Sequence, residues 1–332
     1  MNIIFKKVMV LIITVVVLLC VVNIFSFAEQ NIVFKLGHNS PEDSVYHVGA
    51  LKVAELVEKY SEGKMKIDIY SGGALGGELE MMDGLRMGTL DMSIINSGNI
   101  GKYAPKWSIF YLPYLFQDDD HLLRFSKSEM AQGLIDYTRE KANIHILLPF
   151  WCDGFRHTMQ NVREVKVPKD LHGIKMRVPE FPILIEFMKE FGAIPVAMPF
   201  PEVYLSLTTG IVDGLETSPW ALLSGKFYEV CKYVTLDGHL VSPTLLCMNI
   251  NRYDTLTDAQ KKILDKAAYE GGTYQYEYSR QFNIDAIEKL KEFCVVTEVD
   301  KQIWMDACQP IIEKFAPDMD QELLQGIRDL EE

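Results

Sequence analysis

Ile32-Val-Phe-Lys-Leu36-Gly-His-Asn-Ser40 opens the stretch that decides the fold. Its first five residues read as a short apolar strand. From His47 to Tyr60 the apolar residues fall at helical spacing, with Leu51, Ala54 and Val57 on one face, and Ser61-Glu62-Gly63 ends the helix. Lys64 to Tyr70 then alternates, with Met65, Ile67 and Ile69 on one side, which is the period of a strand. A loop (Ser71-Gly-Gly-Ala-Leu-Gly-Gly77), a helix from Glu78 to Met87 closed by Gly88, and a buried strand from Leu90 to Ile95 complete the stretch. This alternation predicts an α/β fold with a mostly parallel sheet flanked by helices. Ligands of such sheets bind outside the carboxyl ends of the strands. Those ends carry Gly37-His38-Asn39-Ser40 and Asn96-Ser97-Gly98.

A second unit begins near Trp151. His145 to Phe150, Ile174 to Val178 and Ile194 to Met198 read as strands, with helices from Phe181 to Phe191 and from Val203 to Thr209, the latter ended by Gly210. Asp258 to about Phe293 is a long helical stretch with Gly271-Gly272 inside it, and an interrupted helix is the alternative. It exceeds the usual helix length for one lobe, so it is expected to run between two lobes and brace them.

The chain has 332 residues, 48% hydrophobic and 24% charged, a globular composition whose length suits two domains. Its formal net charge of −13 argues against a nucleic-acid partner, which needs a basic surface. At the N-terminus, Met1 to Lys7 carries two lysines and Val8 to Ile24 is apolar apart from Thr14 and Asn23; Ser26-Phe27-Ala28 then offers small residues to a signal peptidase. Residues 1–28 therefore read as a secretory signal peptide cleaved near Ala28, with an uncleaved membrane anchor as the alternative. Leu19 before Cys20 is too large for a lipoprotein signal. The other five cysteines (Cys152, Cys231, Cys247, Cys294 and Cys308) are odd in number and widely spaced, so free core thiols are expected, with a Cys294–Cys308 bridge as the alternative.

Most candidate motifs read as structure. The glycines at 72, 73, 76 and 77 match neither G-x-G-x-x-G nor a P-loop and mark a turn. Asp118-Asp119-Asp120-His121 lacks the donor spacing of a calcium loop and reads as a solvated turn capping a helix. The seven histidines show no H-x-x-x-H or H-x-H spacing and no G-x-S-x-G elbow is present, so neither a metal, a cofactor nor an enzyme is indicated. Two arginines stand in otherwise apolar surroundings: Arg156 in Gly154-Phe-Arg-His157, and Arg177 in Gly173-Ile-Lys-Met-Arg-Val-Pro179. A guanidinium matches a carboxylate in two parallel hydrogen bonds. Spacing alone leaves each arginine open to two roles, ligand contact or lobe-internal salt bridge.

From about Ile32 to Pro317 the chain resembles the solute-binding component of tripartite ATP-independent periplasmic (TRAP) transporters, the DctP family. Gly154-Phe-Arg156 fits its G-x-R, and Leu171-His-Gly-Ile-Lys-Met-Arg177-Val-Pro179 fits L-x-G-x-K-x-R-V-P. Pro199-Phe200-Pro-Glu202-Val-Tyr204-Leu-Ser-Leu fits P-x-x-x-E-V-Y-x-A-L, Val212-Asp-Gly-Leu-Glu216 fits V-D-G-x-E, and Lys226-Phe-Tyr-Glu-Val230 with Gly238-His239 completes the run. Upstream, Gly76 and Met87-Gly-Thr-Leu-Asp-Met92 also fit.

The resemblance implies a two-lobed periplasmic solute-binding fold with the ligand cleft between the lobes: residues 29–153 plus 242–281 in lobe I, and 154–241 plus 282–332 in lobe II. It implies Arg177 as main partner of a ligand carboxylate, Arg156 as a second basic contact, and Phe200 as the floor. His38, Glu78, Asn96, Glu180 and His239 would read further polar groups. Thr217 departs from the Asn common after the D-G-x-E glutamate, and a hydroxyl donates one hydrogen bond where an amide donates two. The implied protein is a periplasmic monomer that delivers a small organic acid to small and large membrane permease subunits. Glutamates accept hydrogen bonds from hydroxyls and repel a second carboxylate, which favours a sugar acid, such as a uronate or aldonate, over a four-carbon dicarboxylate. A ligand-presenting sensor partner and a lyase are the rival classes.

Overall fold

The computed structural model describes residues 31–241 and 243–330. The signal-peptide reading and Cys20 lie outside them. Two sheets organise the chain. The first has the order β2-β1-β3-β10-β4, built from β1 (Ile32–Gly37), β2 (Met65–Tyr70), β3 (Met92–Asn96), β4 (Ile144–Trp151) and β10 (Thr244–Asn249). Here β1 pairs in parallel with β2 and β3, while β10 is antiparallel to both β3 and β4. The second has the order β11-β9-β5-β8-β6-β7, with β5 (Arg156–Gln160), β6 (Lys175–Val178), β7 (Ile194–Ala197), β8 (Gly214–Thr217), β9 (Tyr233–Leu240) and β11 (Val295–Glu298). Both sheets are thus more mixed than the alternation predicts. The reason is that β5 and β10 each arrive from the other sheet, directly after β4 and β9 and without a crossover helix, and each runs antiparallel to both of its neighbours.

The helix after β1 spans Val45–Tyr60 and is capped by Ser44, whose side chain accepts from the His47 amide. Its buried face keeps Val57 of the expected one but not Leu51. Gly49, Ala50, Val53, Leu56 and Val57 are buried, whereas Leu51 is 51% exposed. The cause is the long helix Asp258–Leu290, whose 33 residues run unbroken through Gly271-Gly272. At about 1.5 Å per residue it is roughly 50 Å long. A Cβ at Gly271 would lie 2.5 Å from a Val53 methyl carbon, and one at Gly272 would lie 2.7 Å from the Pro149 ring. The two glycines serve close packing rather than a break.

The long helix also grips the link between the sheets. Gln275 accepts from the Cys152 amide and donates to the Cys152 carbonyl (3.0 and 2.9 Å). One turn or two further on, Asn283 donates to the Asp153 carbonyl and accepts from the Trp220 amide. Gly154 completes the link at φ +86°, a conformation that favours glycine.

The chain's end departs from the lobe II assignment of 282–332. The helix Gln321–Arg328 buries Leu323, Leu324 and Ile327. His121 and Arg124 bond the Ile327 and Leu330 carbonyls, and Lys106 pairs with Asp320. An apolar stripe on a short terminal helix needs a covering surface, and residues 106–130 provide it. The five cysteines among the described residues are free. Cys294 lies beside the Cys231 carbonyl (3.5 Å) rather than near Cys308, which packs in a different apolar cluster. Asp118 caps the helix Asp119–Ser126, as the acidic turn suggests. Among the described residues no helix is long and apolar enough to cross a membrane.

Candidate ligand-binding site

The two sheets face each other across a polar cavity of about 100 Å³. Arg177 enters it from the end of β6. Its guanidinium is 3% exposed, and Nε and Nη2 both donate to the Met198 carbonyl (3.0 and 2.7 Å). The Phe200 ring lies 5.9 Å away. Among the described residues no carboxylate pairs with it. Burial, together with the nearby Arg156 charge and against the pull of Glu216, brings its pKa down to about 10, so it stays charged at neutral pH.

Arg156, at the start of β5, is held differently. Its Nε donates to Glu216 Oε2 (2.5 Å), and Nη2 donates to Glu216 Oε1 and to the Glu216 carbonyl (both 2.8 Å). This is a bidentate pair inside the second sheet, so the salt-bridge role describes Arg156 and not Arg177. Burial opposes the Glu216 charge, but Arg156 and His239 outweigh it and hold the carboxyl near 2. His239 sits behind the pair, with Nδ1 2.9 Å from Asp237 Oδ2 and Nε2 3.3 Å from Glu216 Oε2. Burial disfavours its charge too, yet these two carboxylates raise the imidazole to about 9. Asp237 in turn also accepts from the Thr158 amide.

The first sheet supplies amides. Asn39 and Ser40 follow β1; Asn96 ends β3 and Asn99 follows it. Glu78, at the first turn of the helix Glu78–Met87, ties them together. Its Oε1 accepts from Asn39 Nδ2 (3.0 Å), and its Oε2 accepts from the Asn96 backbone amide (2.8 Å) and Asn99 Nδ2 (2.7 Å). Burial raises the Glu78 pKa against those three donors. Tyr111 donates to Asn96 Oδ1 and packs edge-on against Phe181 from the second lobe (ring centroids 4.5 Å apart). Where Phe181 meets the other lobe it passes Gly98, whose absent Cβ would lie 2.6 Å from the ring.

Of the residues expected at the site, Arg177, Arg156, Thr217, Glu78, Asn96, Glu180 and Phe200 line this cavity, with Glu180 at its exposed rim. Thr217 ends β8, and its hydroxyl has no partner among the described residues. His38 and His239 lie behind the wall. His38 Nε2 is 3.0 Å from His47 Nδ1, and burial with the His47 charge brings its pKa down to about 4. Asp153, Tyr46, Tyr111 and Asn99 also line the cavity and were not anticipated, while Asn39 comes from the segment expected at the end of the first strand. For Asp153 a signal existed: a carboxylate three residues before Arg156, directly after the apolar Trp151-Cys152.

A buried cation facing a polar cavity lined from both α/β lobes suits a protein that binds a small acid. The chain belongs to the bacterial extracellular solute-binding protein family 7 (DctP), whose sequence profile matches residues 36–318. It is 30% identical over 311 residues to the 2,3-diketo-L-gulonate-binding periplasmic protein YiaO of Escherichia coli (strain K12), covering 92% of this chain and 94% of that one. Among solved structures it is similar to a TRAP periplasmic solute-binding protein from Bordetella with density assigned as pantoate (TM-score 0.86, 32% identity, 90% of this chain and 99% of that one). It is also similar to the sugar-acid-binding protein DctPAm of Advenella mimigardefordensis in complex with galactonate (TM-score 0.87, 28% identity, 91% and 98%). The family is one of solute-binding proteins and not of enzymes.

Proposed function

We propose that this protein is the extracytoplasmic capture subunit of a TRAP transporter, that it binds a sugar acid such as a uronate or aldonate, and that it delivers the acid to the small and large permease subunits. Arg177 carries the reading. Arg177 is 3% exposed and, among the described residues, its guanidinium bonds only to a carbonyl, so it wants an anion, and a ligand carboxylate supplies it. Arg156 and the Thr217 hydroxyl stand beside it in the same wall, while the first lobe offers amides and hydroxyls suited to a polyol. Two of the three similar proteins above are named for, or hold, sugar acids.

Closing the lobes removes water from the carboxylate and guanidinium together, which strengthens their attraction. A ligand present only in the closed form shifts the population towards closure. The test is a thermal-shift screen of protein unfolded and refolded to strip bound ligand, against uronates, aldonates, dicarboxylates, keto acids and amino acids. At a hundred times Kd a binder adds about 2.7 kcal/mol and raises Tm visibly. A shift with sugar acids is expected. Shifts confined to dicarboxylates would discard the ligand class, and a flat screen would discard capture of small acids.

A further inference from the structure

Asp153 stands in the cavity wall at the link between the two sheets and is 2% exposed. Its two oxygens are in different situations. Oδ1 accepts from the Tyr46 hydroxyl (2.7 Å), Trp220 Nε1 (2.9 Å) and Ser218 Oγ (3.1 Å). Three donors on one oxygen fix the carboxylate's orientation. Among the described residues Oδ2 has only Arg156 Nη1, at 3.5 Å, and that guanidinium is already committed to Glu216. The acceptor capacity left in this side chain is therefore at Oδ2.

Glu78 offers a contrast. Each of its oxygens already holds an amide donor from Asn39, Asn96 or Asn99. It positions those amides, and little acceptor capacity remains for a ligand. The charges near the cavity give a second argument. Arg156 is neutralised by Glu216, and Arg177 has no acidic partner among the described residues. One ligand carboxylate matches Arg177. A second would arrive in a wall whose basic groups are both engaged, with Asp153 among its neighbours.

We propose that Asp153 sets the chemical class of the ligand: Oδ2 accepts a hydroxyl of the bound acid and repels a second carboxylate, so that monoacids bearing hydroxyls are selected over diacids. This rests on the capture reading above and assigns its specificity to one residue. Selection against the wrong ligand by like-charge repulsion is a general route to specificity.

The experiment is calorimetric titration of the full mature protein with galactonate and galactarate, a pair differing at one end by a hydroxymethyl group against a carboxylate. The wild-type protein is expected to favour galactonate by roughly 100-fold, the scale of two like charges about 6 Å apart near a protein surface. Asp153→Asn keeps Oδ1 for Tyr46, Trp220 and Ser218 and exchanges the acceptor Oδ2 for a donor. It is expected to weaken galactonate and strengthen galactarate, so that the ratio falls at least tenfold. Tyr46→Phe removes one donor to Oδ1 but keeps the charge, and is expected to preserve the ratio while lowering both affinities. Asp153→Glu, which keeps the charge should the Asn variant not fold, is expected to go on rejecting galactarate. Equal loss of both ligands in a folded Asp153→Asn variant overturns this inference and leaves the capture reading standing, as does galactarate bound by the wild type as tightly as galactonate. A wild type that binds neither overturns both.

Discussion

The Arg177 side chain spends two nitrogens on the Met198 carbonyl and meets no acid among the described residues, whereas Arg156, two strands away, is fully paired with Glu216. The two arginines should therefore respond differently to truncation. Arg177→Ala removes the proposed partner of the ligand carboxylate and is expected to cost roughly 2–5 kcal/mol of binding by titration calorimetry, with little loss of unfolding free energy. Arg177→Lys should recover only part, since an ammonium cannot bind a carboxylate in two parallel bonds. Arg156→Ala strands a buried Glu216 and should lower stability as well, by about 3–5 kcal/mol. Normal ligand binding by Arg177→Ala would refute the site. Sequence motifs brought Arg156, Arg177, Phe200 and Thr217 to the cavity, because those positions lie within ordered runs of family residues. They did not separate the arginine that is paired from the one that is not. That distinction depends on Glu216, which is sixty residues away in the chain and on the neighbouring strand.

Among the elements, the helix Asp258–Leu290 holds both the first lobe and the link to the second. Its glycines allow a direct weighing of effects. Gly271→Ala gains about 1 kcal/mol of helix propensity, but its methyl group would meet Val53 at 2.5 Å, and overpacking costs about 1–3 kcal/mol. Net destabilisation is expected. Gly133, inside the helix Glu129–Ala142, has nothing within 4 Å of a built Cβ, so the same change there should stabilise by about 0.5–1 kcal/mol. Urea unfolding of the two variants checks both signs, and a Gly271→Ala variant as stable as Gly133→Ala would show that the helix gives way easily to Val53. The expectation of a long bracing helix came from the length of its helical stretch. Its uninterrupted course through Gly271-Gly272 could not be read that way, since glycine pairs signal a break unless a neighbour requires close approach. The same long-range packing turned the buried face of Val45–Tyr60 away from Leu51. Strands β5, β8, β9, β10 and β11 were not anticipated, and length does not account for it, since β6 and β7 are as short as β8 and β11 while β9 has eight residues.

At the scale of the whole molecule, buried titratable groups bound the pH range in which the fold is strongest. His239 is raised to about 9 because Asp237 and Glu216 outweigh its burial. Its contribution is thus complete below the unfolded value of about 6.5 and is lost as pH rises through 9. His38 and His145 are lowered to about 4, chiefly by burial, and so stabilise the fold above about 6.5 and lose that contribution as pH falls through 4. Glu216 and Asp237, held near 2 by their basic neighbours against burial, are fully stabilising above about 4.5 and add to the loss only at still lower pH. Stability should therefore be greatest near pH 6.5 and decline on both sides for different reasons. The two limbs can be separated by mutation. His239→Gln keeps a polar side chain between Asp237 and Glu216 but cannot carry the charge. It should lower stability at pH 6.5 and flatten the decline between pH 6.5 and 9, while leaving the contribution of His38 and His145 to the acid limb in place. Urea midpoints measured across this range for the wild type and His239→Gln decide it. An alkaline limb equally steep in both proteins would mean that some group other than His239 governs it, and that the Asp237–His239–Glu216 chain does not carry its proton as the geometry requires.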